Sequence, residues 1–154
     1  MRHWLIKSEP DVFGIEHLEK VRREPWSGVR NYLARNYMWK EMKPGDLALF
    51  YHSNAKPPGV TGIAKVAGDP YPDPTQFDPK SEYFDPKSKP ENPRWWLVDF
   101  EFVARFKEML TLENLKADPM LSEMVVCQRG TRLSITPVDP LHYKRVCKLA
   151  GWKS

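Results

Sequence analysis

"WWLVDFEFVARFKE", residues 95–108, decides the fold. Trp96, Val98, Phe100 and Phe102 alternate with Leu97, Asp99, Glu101 and Val103, the two-residue period of a strand. Its aromatic and β-branched residues suit a pleated, half-buried surface. Outward from it the strand signals recur. "DLALFYHS" (46–53) sets Leu47, Leu49 and Tyr51 on one face and Ala48, Phe50 and His52 on the other. "PPGVTGIAKVAGD" (57–69) returns as a strand after a Pro/Gly loop. "HWLIKSEP" (3–10) opens the chain as a strand that Pro10 ends, because proline cannot donate to a ladder. "RLSITPV" (132–138) supplies the last strand.

Helices fall between these strands. "GIEHLEKV" (14–21) places Ile15, Leu18 and Val21 at helical spacing. The turn Pro25–Trp26–Ser27–Gly28 feeds "VRNYLARNYMWKEM" (29–42), which reads as helical until "KPGD" (43–46) stops it. "LTLENLKAD" (110–118) and "PMLSEM" (119–124) predict short helices. "DPLHYKRVCKLAGW" (139–152) predicts a longer one, with Asp139 as cap, Pro140 at the first position and Gly151 after the end. Residues 69–93 hold seven prolines and no periodic apolar pattern. Tyr71, Phe77, Tyr83 and Phe84 can pack down, so the expectation is an ordered, extended loop. The elements interleave without βαβ regularity, which points to an α+β fold whose mixed sheet curls toward a barrel. At 154 residues the chain is read as one domain, 1–154.

The formal charge is only +4, but it is unevenly distributed. Lys20, Arg22, Arg23, Arg30, Arg35, Lys40 and Lys43 face only Glu24 and Glu41 within their stretch. From Arg129 onward the basic residues meet Asp139 alone. Two basic regions suit an anionic partner on one surface. Cys127 and Cys147 lack metal-ligand spacing and read as reduced thiols. "MRHWLIKSEP" has no long apolar run, so no signal peptide or membrane span is expected. The expected location is cytoplasmic, or nuclear in a eukaryote.

The sequence contains no Gly-rich phosphate loop, HExxH, CxxC or GxSxG. Ser53, His52 and Asp99 could be imagined as a hydrolytic set, but a triad is defined by geometry rather than inventory. His3, His17, His52 and His142 are too scattered to suggest a metal. No cofactor is expected. More material favours binding a flat, polar ligand. Trp26 sits on a glycine turn and can stack. Asn31, placed in a helical segment where a carboxamide gains little, is free to bond something specific, and Arg35 follows four residues later on the same face. Tyr51, His52, Ser53 and Asn54 end a strand, where a rigid sheet can hold binding groups.

The motifs "WLIKSEP" (4–10), "WSGVRNYLARN" (26–36), "FYHSN" (50–54), "YPDPTQFDP" (71–79), "NPRWWLVDFEFV" (92–103) and "QRGTRLSITPV" (128–138) together resemble the EVE domain family. The resemblance runs in order over nearly the whole chain. It implies a PUA-like fold: a small curled barrel flanked by short helices. It also implies a pocket for a modified base, such as 5-methylcytosine, extruded from a DNA or RNA strand, with stacking and edge hydrogen bonds offsetting the extrusion. The positions it carries over are Lys7, Ser8, Glu9, Trp26, Val29, Arg30, Asn31, Arg35, Asn36, Tyr51, His52, Ser53, Arg132, Leu133 and Ser134. In this reading Trp26 stacks on or closes over the base, and Asn31 with Ser8 or Ser53 pairs its polar edge. Arg30, Arg35 and Arg132 meet phosphates, and Glu9 accepts from an exocyclic amine. Weak binding that falls steeply with salt is expected. The chain lacks the long basic N-terminal tail of eukaryotic nuclear members and looks like a stand-alone bacterial protein, monomeric and non-catalytic. The rival readings are a binder of a free nucleoside or nucleotide, an enzyme on modified bases, and a protein-interaction domain.

Overall fold

A computed structural model describes residues 1–130 and 132–153. In chain order the elements are β1 (His3–Ser8), α1 (Pro10–Phe13), α2 (Ile15–Val21), β2 (Arg23–Pro25) and α3 (Tyr32–Asn36). After α3 comes a π-helical turn, Tyr37–Glu41. Then follow β3 (Leu47–His52), β4 (Gly59–Val66), β5 (Tyr71–Pro72), β6 (Trp96–Leu97), β7 (Asp99–Thr111), α4 (Leu112–Ala117), β8 (Ile135–Val138) and α5 (Pro140–Ala150).

The main sheet has six strands in the order β2-β7-β4-β3-β1-β8. β1 runs parallel to β3, and the other neighbours are antiparallel. β2 and β8 remain edges, so the sheet is a curled, mixed half-barrel. Register shifts bend it between Phe50 and Tyr51 and along the β4–β7 pair. Gly62 lies at one of these shifts. A Cβ there would come within 2.3 Å of the Ala104 carbonyl oxygen, so only glycine lets the two strands approach.

Both faces of the sheet are covered. On one, Trp4, Ile6, Ala48, Phe50 and Phe100 pack with Ile15 and Leu18 of α2, with Trp26 and with Met38. On the other, Leu5, Leu49, Tyr51 and Ile63 pack with Leu115 of α4 and with Tyr143 and Val146 of α5. The β3 side chains therefore alternate between the two cores as the sequence predicts.

The structure corrects three local expectations. The long 95–108 strand breaks at Val98, whose carbonyl accepts the Trp26 N–H at 3.0 Å. Trp96 and Leu97 pair with β5 instead of joining the main sheet. "PMLSEM" forms turns rather than a helix: Asp118 accepts the Met120 N–H at 2.8 Å and holds the Arg145 guanidinium. Finally, residues 29–31 are not helical, and α3 begins only at Tyr32.

Candidate nucleic-acid interface

β1 ends where Pro10 starts the single turn of α1, and this corner is tightly laced. The Ser8 hydroxyl donates to the Phe13 carbonyl at 2.6 Å. The Ser53 N–H donates to the Ser8 carbonyl, and the Lys7 N–H to the Ser134 carbonyl. A buried His52 accepts the Ile15 N–H through Nε2 at 3.1 Å. Burial lowers its pKa, which suits this neutral, accepting role. Asp99, imagined beside His52 and Ser53, is instead engaged by Arg23 and Tyr71.

Beyond this corner the chain forms a cavity of about 580 Å³. Lys7, Ser8 and Glu9 line one side, Val12 and Phe13 of α1 another, and residues 24–31 a third; Tyr83 and Ser134 complete it. Trp26 is only 8 % exposed, with Phe13, Phe50 and Phe100 meeting it edge-on at 6.1, 5.8 and 5.3 Å. It is thus a core residue as well as a cavity wall. Its indole N–H meets no acceptor among the described residues. Gly28 has φ +84°, and the Tyr83 ring lies so close that a Cβ would be 2.7 Å from it. The Gly28 N–H donates to the buried Asp73 carboxylate at 2.8 Å.

Arg30 uses its guanidinium inside the protein. It bonds Asp73 at 3.1 Å, Thr75 Oγ1 at 3.1 Å and the Tyr83 carbonyl at 2.7 Å, and it lies over the Trp95 and Tyr83 rings. The proline-rich segment is thereby tied to the "WSGVRN" turn. Arg35 is similarly engaged, with the Arg94 carbonyl at 2.8 Å and Asn36 Oδ1 at 2.8 Å, and it lies 4.6 Å from the Tyr32 ring centroid. Asn31 turns out to be the N-cap of α3, its Oδ1 accepting the Ala34 N–H at 3.0 Å. Only its Nδ2 remains without a protein acceptor among the described residues.

Of the residues marked in the sequence, Lys7, Ser8, Glu9, Trp26, Val29, Arg30, Asn31 and Ser134 gather round the cavity. Arg35, Asn36, His52, Ser53, Arg132 and Leu133 do not line it. Tyr51 packs into the core on the opposite face of the sheet. Sequence reasoning passed over Phe13, Glu24 and Tyr83. For Glu24 a signal was available: it alternates with Arg23 in a short edge strand, and one of the two must face inward. Lys7 is half-buried and burial lowers its pKa. Glu24 is half-buried too, and burial first, then Asp99, raise its pKa. The arrangement offers flat apolar walls with a few polar groups lacking partners among the described residues, the usual make-up of a ligand pocket.

A curled, mixed half-barrel carrying such a cavity is the PUA-like class of domain. The chain belongs to the EVE domain family, whose model matches residues 2–149. It is 40% identical to human thymocyte nuclear protein 1 over 166 residues, covering 96% of this chain and 73% of that protein. The zebrafish (Danio rerio) thymocyte nuclear protein 1 is also 40% identical, with 95% and 71% covered. Among solved structures, human THYN1 protein in complex with 5-methylcytosine-containing DNA superposes with a TM-score of 0.90 at 39% identity, covering all of both chains. A Pseudomonas syringae protein gives 0.91 at 42% identity over 96% of this chain and 99% of that one. A YTH domain from Zygosaccharomyces rouxii, at TM-score 0.54 and 14% identity over 97% and 86%, shares the fold alone. Among the described residues no helix is long and apolar enough to cross a membrane.

Proposed function

We propose that the chain is a non-catalytic module that takes one modified nucleobase, 5-methylcytosine or a close relative, from a DNA or RNA strand into the cavity. The observation that carries this reading is the cavity itself. Phe13, Trp26 and Val29 offer apolar wall, while Asn31 Nδ2 and the Trp26 N–H offer donors with no acceptor among the described residues. The 5-methylcytosine DNA held by a human relative of the same fold supports the ligand class. Stacking and edge bonds offset the few kcal/mol that unstacking a base costs. Tyr83, 38 % exposed on Gly28, stands at the cavity rim and can cover an inserted base. Arg30 positions that rim rather than gripping phosphate.

Fluorescence anisotropy on matched DNA and RNA oligomers carrying cytosine, 5-methylcytosine, 5-hydroxymethylcytosine or a modified adenine tests this reading. One modified base should bind at least about tenfold tighter than its plain parent. Asn31→Ser, which keeps a capping oxygen but removes the amide donors, should erase most of that difference. Equal binding to every oligomer would overturn the proposal. Competition by the free nucleoside as strong as by the oligomer would instead favour a small-molecule binder.

A further inference from the structure

The cavity carboxylates have different circumstances. Glu9 is exposed, and one of its oxygens already takes the Asn54 carboxamide. Glu82 is exposed beside Tyr83 at the rim. Glu24 is half-buried, and its carboxylate has neither a hydrogen bond nor an ion pair with any described residue. Its position explains its direction. In β2 the Arg23 side chain goes to Asp99, so Glu24 projects to the other face. There its register partner is Phe100, part of the core that also holds Trp26. A carboxylate that loses water without gaining a donor is costly. Burial and Asp99 accordingly raise its pKa. An incoming N–H group would relieve that cost.

We propose that Glu24 is the specificity-determining acceptor of the cavity, selecting bases with an exocyclic amine against bases with a keto oxygen at the same position. This inference rests on the base-binding reading above. An ionised carboxylate only accepts, so it favours the N4 amine of cytosine and repels the O4 of thymine. Asn31 and the Trp26 indole, lining the same cavity, carry the donors that suit the ring nitrogen and remaining carbonyl of a cytosine-type edge. The family resemblance implied the acceptor role for Glu9, but that carboxylate is exposed and already shares one oxygen with Asn54. Thymine is the informative comparison, since it shares the ring and methyl group of 5-methylcytosine and differs only along this edge.

The test uses single-stranded oligomers with one central 5-methylcytosine, cytosine or thymine, titrated against wild type, Glu24→Gln and Glu9→Gln. Wild type should prefer 5-methylcytosine over thymine by about tenfold or more, the scale of one well-made base contact. Glu24→Gln can turn its NH2 toward a keto oxygen and should reduce the preference to about threefold or less. Glu9→Gln should leave it unchanged. Glu24→Asp keeps an acceptor of the same charge and should retain the direction of the preference at lower affinity, which separates chemistry from misfolding. An unchanged preference in Glu24→Gln would overturn the proposal, as would failure of every oligomer to bind. If cytosine and 5-methylcytosine bind equally while thymine is still rejected through Glu24, the modified-base reading fails and the Glu24 assignment stands. If 5-methylcytosine beats cytosine but thymine binds equally well, the reverse holds.

Discussion

At the scale of single residues, the two ends of the Asn31 carboxamide can be tested apart, because Oδ1 caps α3 while Nδ2 meets no acceptor among the described residues. Asn31→Ala should cost about 1 kcal/mol of stability by chemical denaturation, the usual worth of an N-cap. Asn31→Ser should remain within a few tenths of a kcal/mol of wild type, and both should lose selective binding. Glu24 gives a pH prediction of defined sign. Its folded pKa is raised, so its contribution to stability is fully present below the ordinary glutamate value of about 4.3 and is lost as pH rises through the folded value. Glu24→Gln should therefore melt higher than wild type at pH 7, with the gap closing by pH 4. A gap that widens on acidification would contradict the unpaired carboxylate. For His52 the shift is downward and burial is its main cause. Its contribution is present above about 6.5, the ordinary histidine value, and falls away as the pH drops below it, since the ring must then charge against the Ile15 N–H.

At the scale of elements, the glycine at the strand bend makes a sharp case. Gly62→Ala should cost roughly 1–3 kcal/mol, the range for overpacking, because its Cβ meets the Ala104 carbonyl and the Ile15 side chain at once. Thermal or urea unfolding checks this, and a neutral result would mean that β4 and β7 can separate. Much of this level was legible in the sequence. The two-faced alternation of β3 and the cap, proline and glycine of α5 have strong local causes. The start of α3 was less so, since Val29 and Arg30 stay outside the helix while Arg30 makes tertiary bonds to Asp73 and Tyr83. The break at Val98 likewise depends on a distant donor, the Trp26 N–H. In the candidate site, residues of "KSEP" and "WSGVRN" line two walls of the cavity. Tyr83 was expected to pack down but not to line the site, because only the docking of the proline-rich segment brings its ring onto Gly28.

For the whole molecule, the placement of its arginines governs how it meets a polyanion. The family resemblance implied that Arg30, Arg35 and Arg132 meet phosphates, and a steep response to salt was expected. Arg30 and Arg35 instead bond carbonyls, a carboxylate and an amide within the fold. With a net charge of only +4, few phosphate contacts remain for the surface to make. Affinity for single strands should then fall with a log–log salt slope of about −1 to −2, as for two or three contacts. A slope near −5 would point to an extended basic groove. The proposed selectivity for a modified base should persist as salt rises, because it arises from stacking and edge bonds inside the cavity.

The most direct measurement is amide and indole shift mapping by NMR, titrating the isotope-labelled protein with a short oligomer containing one 5-methylcytosine. The largest changes should fall at the Trp26 indole N–H and in the backbone of residues 7–9 and 27–31, with smaller ones at Tyr83 and Ser134. The plain-cytosine oligomer should leave the Trp26 indole nearly unmoved. If the shifts instead spread over α5 and spare Trp26, the cavity is not where the base goes.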